Sequence, residues 1–480
     1  MSKFNTKNTN LTTNKSGHVA FQMSDKEKLI TMVLTTFFNE EKFYGDTSNE
    51  ILVLAEKIVH KDPRFISNLA IYARKEFHLR SVSHVLSSVV AKFNESKPLI
   101  SETISGVVER ADDLTEILAF YIFVYGKPIP NGLKKALGKA LKGFNEYQIS
   151  KYNSSCKNVK FRDILKLCHV KPSNKAQSEL FKKILENNLD VATRWETELS
   201  TKGNNDETWE ELIEKNKLGY MAALRNLKNI LNANPKNIQK IYDKLSNKEE
   251  VLKSKQLPFR FYTAYREIQG LPQTTNKVLD VLETAIEHSV SNMPKLNGKT
   301  VIAFDISGSM GWEIAKNSTV KCCNISALLA VLATKICDEY MTFAFNDRLY
   351  KVDINTKSSI LSEANRLSST SGGTSLELPL KYIINNNINV DRLIIISDNE
   401  INSGFKYACQ SLADKYRKEI NPNLYIHAID LQGQGTQQFF GSKTNVIAGW
   451  SEKVLTFIGL VEQGSDNLIK TIENYHIKNN

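Results

Sequence analysis

Past a polar, Asn- and Thr-rich opening with no periodicity, apolar positions in the first half of the chain recur three or four residues apart. Ile51, Leu54, Ala55 and Ile58 form one such set; Ile66, Leu69, Ala70 and Ala73 form a second; Val82, Leu86, Val89 and Phe93 form a third. This spacing turns one stripe of a 3.6-residue helix toward a core, so it predicts amphipathic helices. Further helices are predicted over residues 114–125, 133–144, 178–189, 208–213, 218–231, 237–245, 259–268 and 276–290, with no strand signal between them. Such a run, joined by short polar links and without a repeated motif, fits a stack of helix pairs, an α-solenoid.

From about residue 296 the pattern changes. Residues 299–307 (KTVIAFDIS), 341–345 (MTFAF), 392–397 (RLIIIS) and 424–430 (LYIHAID) are short, β-rich apolar runs, separated by helical stretches at 324–340, 376–384 and 405–418. Strands alternating with helices predict an α/β doubly wound domain, whose ligands gather at the carboxyl ends of the strands. At 480 residues the chain is too long for a single core. The reading is a disordered tail over 1–17, a helical-repeat module over 18–295 and an α/β domain over 296–480, with the boundary in the polar stretch 291–298 (SNMPKLNG).

Three short motifs fall at the predicted carboxyl edge: Asp305-Ile306-Ser307-Gly308-Ser309, Gly372-Gly373-Thr374, and Asp398 directly after RLIIIS. Hydroxyls and carboxylates without His or Cys are hard ligands suited to Mg²⁺ or Mn²⁺. Ser307, Ser309 and Thr374 are expected to coordinate directly, and Asp305 and Asp398 directly or through water. A phosphoaspartate hydrolase wants a carboxylate where Ser307 stands, and ISGSM is not the G-x-S-x-G of a nucleophile elbow. The first motif taken alone also reads as a strand-end Asp followed by a helix-capping turn. No general base stands beside an activated nucleophile, so no enzyme is expected.

The six cysteines show neither C-x-x-C pairs nor zinc spacing and read as small buried hydrophobes of a reducing compartment. Without an apolar run of about 20 residues or a secretion signal, the expectation is a soluble cytoplasmic protein and no membrane partner.

The formal charge is +11, and residues 299–480 contribute none of it, with 18 basic and 18 acidic side chains. Residues 127–183 hold 14 basic and 3 acidic side chains, which equals the whole excess. Such segregation points to a polyanionic partner, nucleic acid or a membrane surface; a basic face that aids solubility is the plainer alternative. Along 133–144, Leu133, Leu137, Leu141 and Phe144 make one apolar stripe, with Lys134, Lys135, Lys139 and Lys142 outside it. That helix suits an anionic membrane equally well unless packing covers its stripe. Lys151, Lys157, Lys160, Arg162, Lys166, Lys171 and Lys175 follow, so a continuous phosphate track is easily made.

The D-x-S-x-S, Gly-Gly-Thr and strand-Asp set resembles the metal-ion-dependent adhesion site of von Willebrand factor type A domains, where the ion is usually Mg²⁺ and a partner's carboxylate often completes its coordination. The segments GHVAFQMSDKEKLITMVLTTFFNEEKFYG, LAIYARKEFHLRSVSH, TRWETELS, TWEELIEKNKLGYMAALRNL and LPFRFYTAYR resemble the TROVE module of the Ro autoantigen family. The likeness spans roughly residues 17–465. It implies an α-solenoid ring of HEAT-like helix pairs followed by a von Willebrand factor A-like α/β domain.

It further implies small noncoding, Y-like RNA on the outer basic face and single-stranded RNA ends in the central hole. The family's Lys-Tyr pair is matched by Lys151-Tyr152, and its His before Lys-Pro-Ser by His169. A second basic residue one turn on is replaced by Ser155, with Lys157 nearby, which puts affinity for a Y-type RNA in question. Arg74, Lys75, Arg80 and His84 are candidates for the inner rim, although Arg74 equally suits a pair with Glu76 or another carboxylate within the solenoid. Trp195 and Trp209 read as core residues rather than stacking platforms. The resemblance thus implies a ribonucleoprotein component that stabilises noncoding RNA or presents it to a nuclease. Two other classes stay open: a metal-dependent protein-interaction module with the helical half as scaffold, and a metal-dependent phosphotransferase or nuclease using Asp305 and Asp398.

Overall fold

A computed structural model describes residues 11–13, 17–35, 46–153, 158–189, 195–291, 293–313, 319–355, 357–402, 408–433, 436–441, 443–448, 453–462 and 468–475. They fall into two compact units, one drawn from Asn39–Arg194 and Leu468–Asn480, the other from Met1–Phe38 and Trp195–Asn467. No helix among the described residues is long and apolar enough to cross a membrane.

The first unit is helical: Asp46–Val59, Pro63–Lys75, Ser81–Lys92, Ile100–Val107, Ala111–Tyr125, Asn131–Leu141, Glu146–Ser150, Phe161–Cys168, Lys175–Glu186 and Leu468–Glu473. Helices pack on the next but one: Pro63–Lys75 on Ile100–Val107, Ser81–Lys92 on Ala111–Tyr125, Ile100–Val107 on Asn131–Leu141, and Asn131–Leu141 on Phe161–Cys168. This is the stacking of helix pairs that the periodicity predicts. Local chemistry sets the ends. Asp62 caps Pro63–Lys75 by accepting from Phe65 N at 3.1 Å, and Pro63 at the first position lacks the N–H that would go unbonded there. Gly138 lets Val170 approach, since a Cβ there would stand 3.1 Å from the Val170 methyl Cγ2.

The second unit carries the helices Trp195–Lys202, Asp206–Glu214, Tyr220–Arg225, Leu227–Ala233, Gln239–Ser246, Lys248–Ser254, Pro258–Ile268 and Asn276–Ser289, then the α/β domain. Its strands are β1 (Leu11–Thr13), β2 (Val19–Gln22), β3 (Leu296–Asp305), β4 (Cys337–Phe345), β5 (Leu349–Lys351), β6 (Arg392–Ser397), β7 (Tyr425–Asp430), β8 (Thr436–Gln437) and β9 (Thr444–Ala448). The main sheet runs β5-β4-β3-β6-β7-β9, parallel except for β5 against β4. One face buries Val301, Ala303, Phe343, Leu393, Ile395 and Ile426 with residues of Leu378–Asn385 and Ala408–Glu419; Cys322–Ile336 packs on β3, β4 and β6. Covered faces leave the strand ends as the accessible chemistry.

Several expectations need correction. Leu11–Thr13, placed in a disordered tail, is a strand antiparallel to β2, and β2 pairs with β8; residues 1–10 and 14–16 lie outside the described residues. The helix expected to reach 340 ends at Ile336, and the chain enters β4 at Cys337 with neither Gly nor Pro marking the junction. The helix expected over 218–231 breaks at Asn226, whose amide bonds back to Ala222 O at 2.9 Å. The lysine-edged helix stops at Leu141, so Lys142 and Phe144 lie beyond it.

Candidate metal centre and nucleic-acid interface

Parallel pairing of β3 with β6 brings the ends of both strands to one edge of the sheet. Asp305 closes β3, and its Oδ2 accepts from Ser397 Oγ on β6 at 2.7 Å while Oδ1 accepts from Ser307 N at 2.7 Å. The next turn sets Ser307 Oγ and Ser309 Oγ 3.1 Å apart. Two backbone bonds draw the Gly-Gly-Thr loop beside that turn: Gly308 N donates to Gly372 O at 3.1 Å, and Ser371 N to Ile306 O at 2.8 Å. Gly372 is required there, with φ at +73° and Asp347 Oδ1 only 2.7 Å from where a Cβ would sit. Thr374 N donates to Asn402 Oδ1 at 2.6 Å. The fold therefore gathers Asp305, Ser307, Ser309, Thr374 and Asp398 at one edge.

Asp305, Ser307, Thr374 and Asp398 are fully buried, and Ser309 is half-buried. Burial, with Asp398 nearby, pushes the Asp305 carboxyl up to about 7, and burial raises Asp398 as well. Asp398 Oδ2 is buried without a hydrogen-bond partner among the described residues. An orphaned carboxylate oxygen among hydroxyls is the environment a hard cation relieves, so these residues fit Mg²⁺ or Mn²⁺. No three His, Cys, Asp or Glu among the described residues are arranged to hold an ion, so an ion here would lean on the hydroxyls. Ser397, Asn402 and Asp430 were missed from the sequence. Asp430 ends a predicted strand, and the strand-end rule that singled out Asp398 applies to it equally.

The basic residues lie in the helical unit. Lys135, Lys139, Lys166, Lys171, Lys175, Arg162 and the His169 ring are exposed; Lys134, Lys142, Lys151 and Lys160 are half-buried. Lys157 lies outside the described residues. Several of the rest come together. Lys142 Nζ donates to Ser173 Oγ at 3.0 Å, and Gln177 Nε2 to Lys142 O at 3.0 Å, tying the end of Asn131–Leu141 to the start of Lys175–Glu186. Burial pushes the Cys168 thiol up to about 11 against the opposing charge of Lys134, which places that lysine near the residue preceding His169. His169 caps its helix in the left-handed conformation, φ 50°. Lys151 Nζ lies 5.4 Å from the Tyr152 ring centroid and Arg110 Cζ 4.5 Å from it.

Two of the three acids in the basic window are already engaged: Glu146 pairs with Lys183 at 2.8 Å, and Asp163 accepts from Lys160 N at 2.8 Å. Lys134, Lys135, Lys139, Lys142, Lys151, Lys166, Lys171 and Lys175 have no carboxylate among the described residues within 4.0 Å. Further along the chain, four of the eleven lysines of 195–290 are paired, Lys202 and Lys215 with Glu211, Lys240 with Glu214, and Lys228 with Glu267.

The inner-rim candidates form an internal ion cluster instead. Arg74 is buried, donating to Val107 O at 3.0 Å and to Asp113 Oδ2 at 3.2 Å; His84 is buried 3.1 Å from Asp113 Oδ1; Arg80 Nε reaches the same oxygen at 2.6 Å. Burial works against the Asp113 charge, but the His84 hydrogen bond and the two guanidinium groups outweigh it and hold the carboxyl well below the usual range. Arg74 and His84 are thus withdrawn from the RNA-contacting set, because buried donors committed to Asp113 cannot meet a phosphate. Lys75 is half-exposed and paired with Glu109 at 2.8 Å. Trp209 is a core residue whose Nε1 donates to Asn204 Oδ1 at 2.7 Å, whereas Trp195 is half-buried.

Comparison with known proteins meets this geometry. A TROVE domain model matches residues 12–194 and 187–301, and a Ro60 vWA domain model matches 299–434. Telomerase protein component 1 of Mus musculus is 24% identical over 328 residues, 51% of this chain and 12% of its own length. RNA-binding protein RO60 of Caenorhabditis elegans is 25% identical over 232 residues, 46% of this chain and 36% of its own. That of Deinococcus radiodurans is 24% identical over 154 residues, 31% and 29%. The chain thus spans between 12% and 36% of these curated relatives. The crystal structure of the Deinococcus radiodurans RO (RSR) protein shares the fold, with a TM-score of 0.64 at 14% identity, over 92% of this chain and 100% of that one. Since the TROVE model covers more than half of its residues, and the Ro60 vWA model most of the α/β domain, this chain belongs to the TROVE-domain family.

Proposed function

We propose that the protein is an RNA-binding ribonucleoprotein component that holds small noncoding RNA along the basic window and acts in the cytoplasm to stabilise it or present it to a nuclease. The contrast in charge balance between two stretches of helices carries this reading. Residues 195–290 balance 14 basic with 14 acidic side chains, whereas 127–183 hold 14 basic against 3 acidic, and eight lysines there have no carboxylate among the described residues within 4.0 Å, which leaves a positive surface on one stretch of one unit. A phosphate chain laid on such a surface releases condensed counterions, a gain that vanishes as salt rises. Relatives named RNA-binding protein RO60 support the same partner class.

The edge of the α/β sheet is proposed to hold Mg²⁺ or Mn²⁺ through Ser307, Ser309, Thr374, Asp305 and Asp398. Bound there, the ion would supply a Lewis-acidic position for an outside oxygen, such as a partner protein's carboxylate. Asp305 positions the turn through Ser307 N and braces β6 through Ser397. No turnover of RNA is assigned to the chain itself. A protein-interaction role for this domain is favoured by Trp312, 71% exposed three residues after Ser309. The deciding experiment is filter binding of a structured small RNA by the intact protein at rising salt, together with sequencing of RNA that co-purifies. Tight retention at low salt with a steep log–log decline is expected; a protein that emerges free of RNA and retains none at low salt ends the reading.

A further inference from the structure

Beyond the acids that the adhesion-type motif uses, the sheet edge holds buried Asp430 and Glu400, and Asp430 closes a strand beside it. Asp430 closes β7 and stands in register with Ser397, the residue before Asp398. Its side chain is fully buried. Oδ1 accepts from Gln432 N at 2.9 Å and from Gly433 N at 2.8 Å, which fixes the carboxyl plane, while Oδ2 has no hydrogen-bond partner among the described residues. The same loop is fastened to the first motif, since Gln432 Nε2 donates to Ser309 O at 3.3 Å. Burial, with the charges of Asp398 and Glu400, pushes the Asp430 carboxyl up to about 7. The carboxyl ends of two adjacent strands thus each present a buried carboxylate oxygen without a partner among the described residues, Asp398 Oδ2 just past β6 and Asp430 Oδ2 at the end of β7. Such a pair is relieved either by a proton or by a cation nearby.

We propose that Asp430 is a resident outer-sphere carboxylate of the cation site, accepting a hydrogen bond from a water on the ion through Oδ2. This rests on the metal reading given above. Direct ligation by all three acids is set aside, because no three His, Cys, Asp or Glu among the described residues converge to hold an ion. A water in between reconciles the orphaned oxygen with that spacing. Outer-shell carboxylates orient bound water and raise affinity, and removing one typically costs about 10- to 100-fold in metal binding. An ion steadied in this way does not depend on a partner's carboxylate, so the intact chain alone should bind it.

The test is Mn²⁺ titration of the intact protein, counting free ion by electron paramagnetic resonance, for the wild type, Asp430→Asn and Asp430→Ser. Asparagine keeps an oxygen for Gln432 N and Gly433 N, and melting without metal verifies that each variant folds. One bound Mn²⁺ in the wild type and a dissociation constant weakened about tenfold or more in both variants is the expected result. If both folded variants bind Mn²⁺ as the wild type does, Asp430 is a protonated structural acid and the inference falls while the cation site stands. If the wild type itself takes up no Mn²⁺, the cation reading fails and this inference fails with it.

Discussion

Asp113 shows how much one side chain holds in place. It is the third residue of Ala111–Tyr125, and its Oδ2 accepts from Glu109 N at 3.0 Å and from Arg110 N at 2.9 Å, reaching back to backbone donors just ahead of the helix. The same carboxylate balances Arg74 and Arg80 and accepts from His84. Asp113→Asn removes the buried counter-charge of Arg74 and leaves only the part-exposed Glu109 at 3.4 Å, and breaking a buried pair in this way costs up to roughly 3–5 kcal/mol. Urea unfolding at pH 7 should show a loss of that order; a midpoint within error of wild type would remove the cluster from the stability argument. The pH sign follows from the depressed carboxyl. The unfolded chain takes up the proton first, so the advantage over the variant is complete above the unfolded pKa of about 4 and is lost as pH falls toward the folded value. This cluster was half legible in the sequence. The pairing of Arg74 was foreseeable as a type, but its partner lies 39 residues on, and nothing local connects them.

Among the elements, Asn131–Leu141 decides between a membrane and a nucleic acid. Leu133, Leu137 and Leu141 are fully buried against Ile100–Val107 and Phe161–Cys168, so no apolar stripe remains to enter a bilayer. What stays outside is Lys134, Lys135 and Lys139, with Lys142 just past the helix end. Reversing all four to glutamate should flatten the log–log salt dependence of RNA binding by up to about 3 or 4, if each lysine neutralises one phosphate. An unchanged slope would move the RNA track elsewhere. Long amphipathic helices and central strands were legible because period and burial coincide in them, as at Ile66, Leu69 and Ala70 or along RLIIIS. Short elements were not. Glu146–Ser150 is five residues defined by an Asn145–Gln148 capping box, and Phe161–Cys168 carries Phe161, Ile164 and Leu165 at helical spacing beneath a run of lysines that drew attention to charge instead. β1 and β8 hold too few residues for a pattern and exist through partners distant in sequence.

At the scale of the whole molecule, chain order and compact unit do not coincide. Leu468–Glu473 follows the α/β domain in sequence but packs on Pro63–Lys75 of the helical unit. Buried Asn68 supplies the link: its Nδ2 donates to Ile472 O at 3.0 Å and Glu473 O at 2.8 Å, carbonyls that a helix end leaves without intrahelical donors. Ile472 is fully buried, Tyr475 meets the Tyr72 ring edge-on at 5.2 Å, and its hydroxyl donates to Glu76 at 2.9 Å. Burying one isoleucine is worth about 2 kcal/mol and each hydrogen bond about 1 kcal/mol, while an Asn68 amide left buried and unpaired costs about 1–3 kcal/mol. A chain ending at residue 467 should therefore lose roughly 3–5 kcal/mol in the helical unit. Hydrogen exchange can localise that loss, because amides of Pro63–Lys75 should exchange faster in the truncated chain while those of β3 and β6 keep their protection. Unchanged exchange in Pro63–Lys75 would mean that the last helix rests on the unit without supporting it. Asn68→Leu separates the two contributions, since it removes both donated bonds but leaves the Ile472 contact available, so its cost should fall between wild type and truncation.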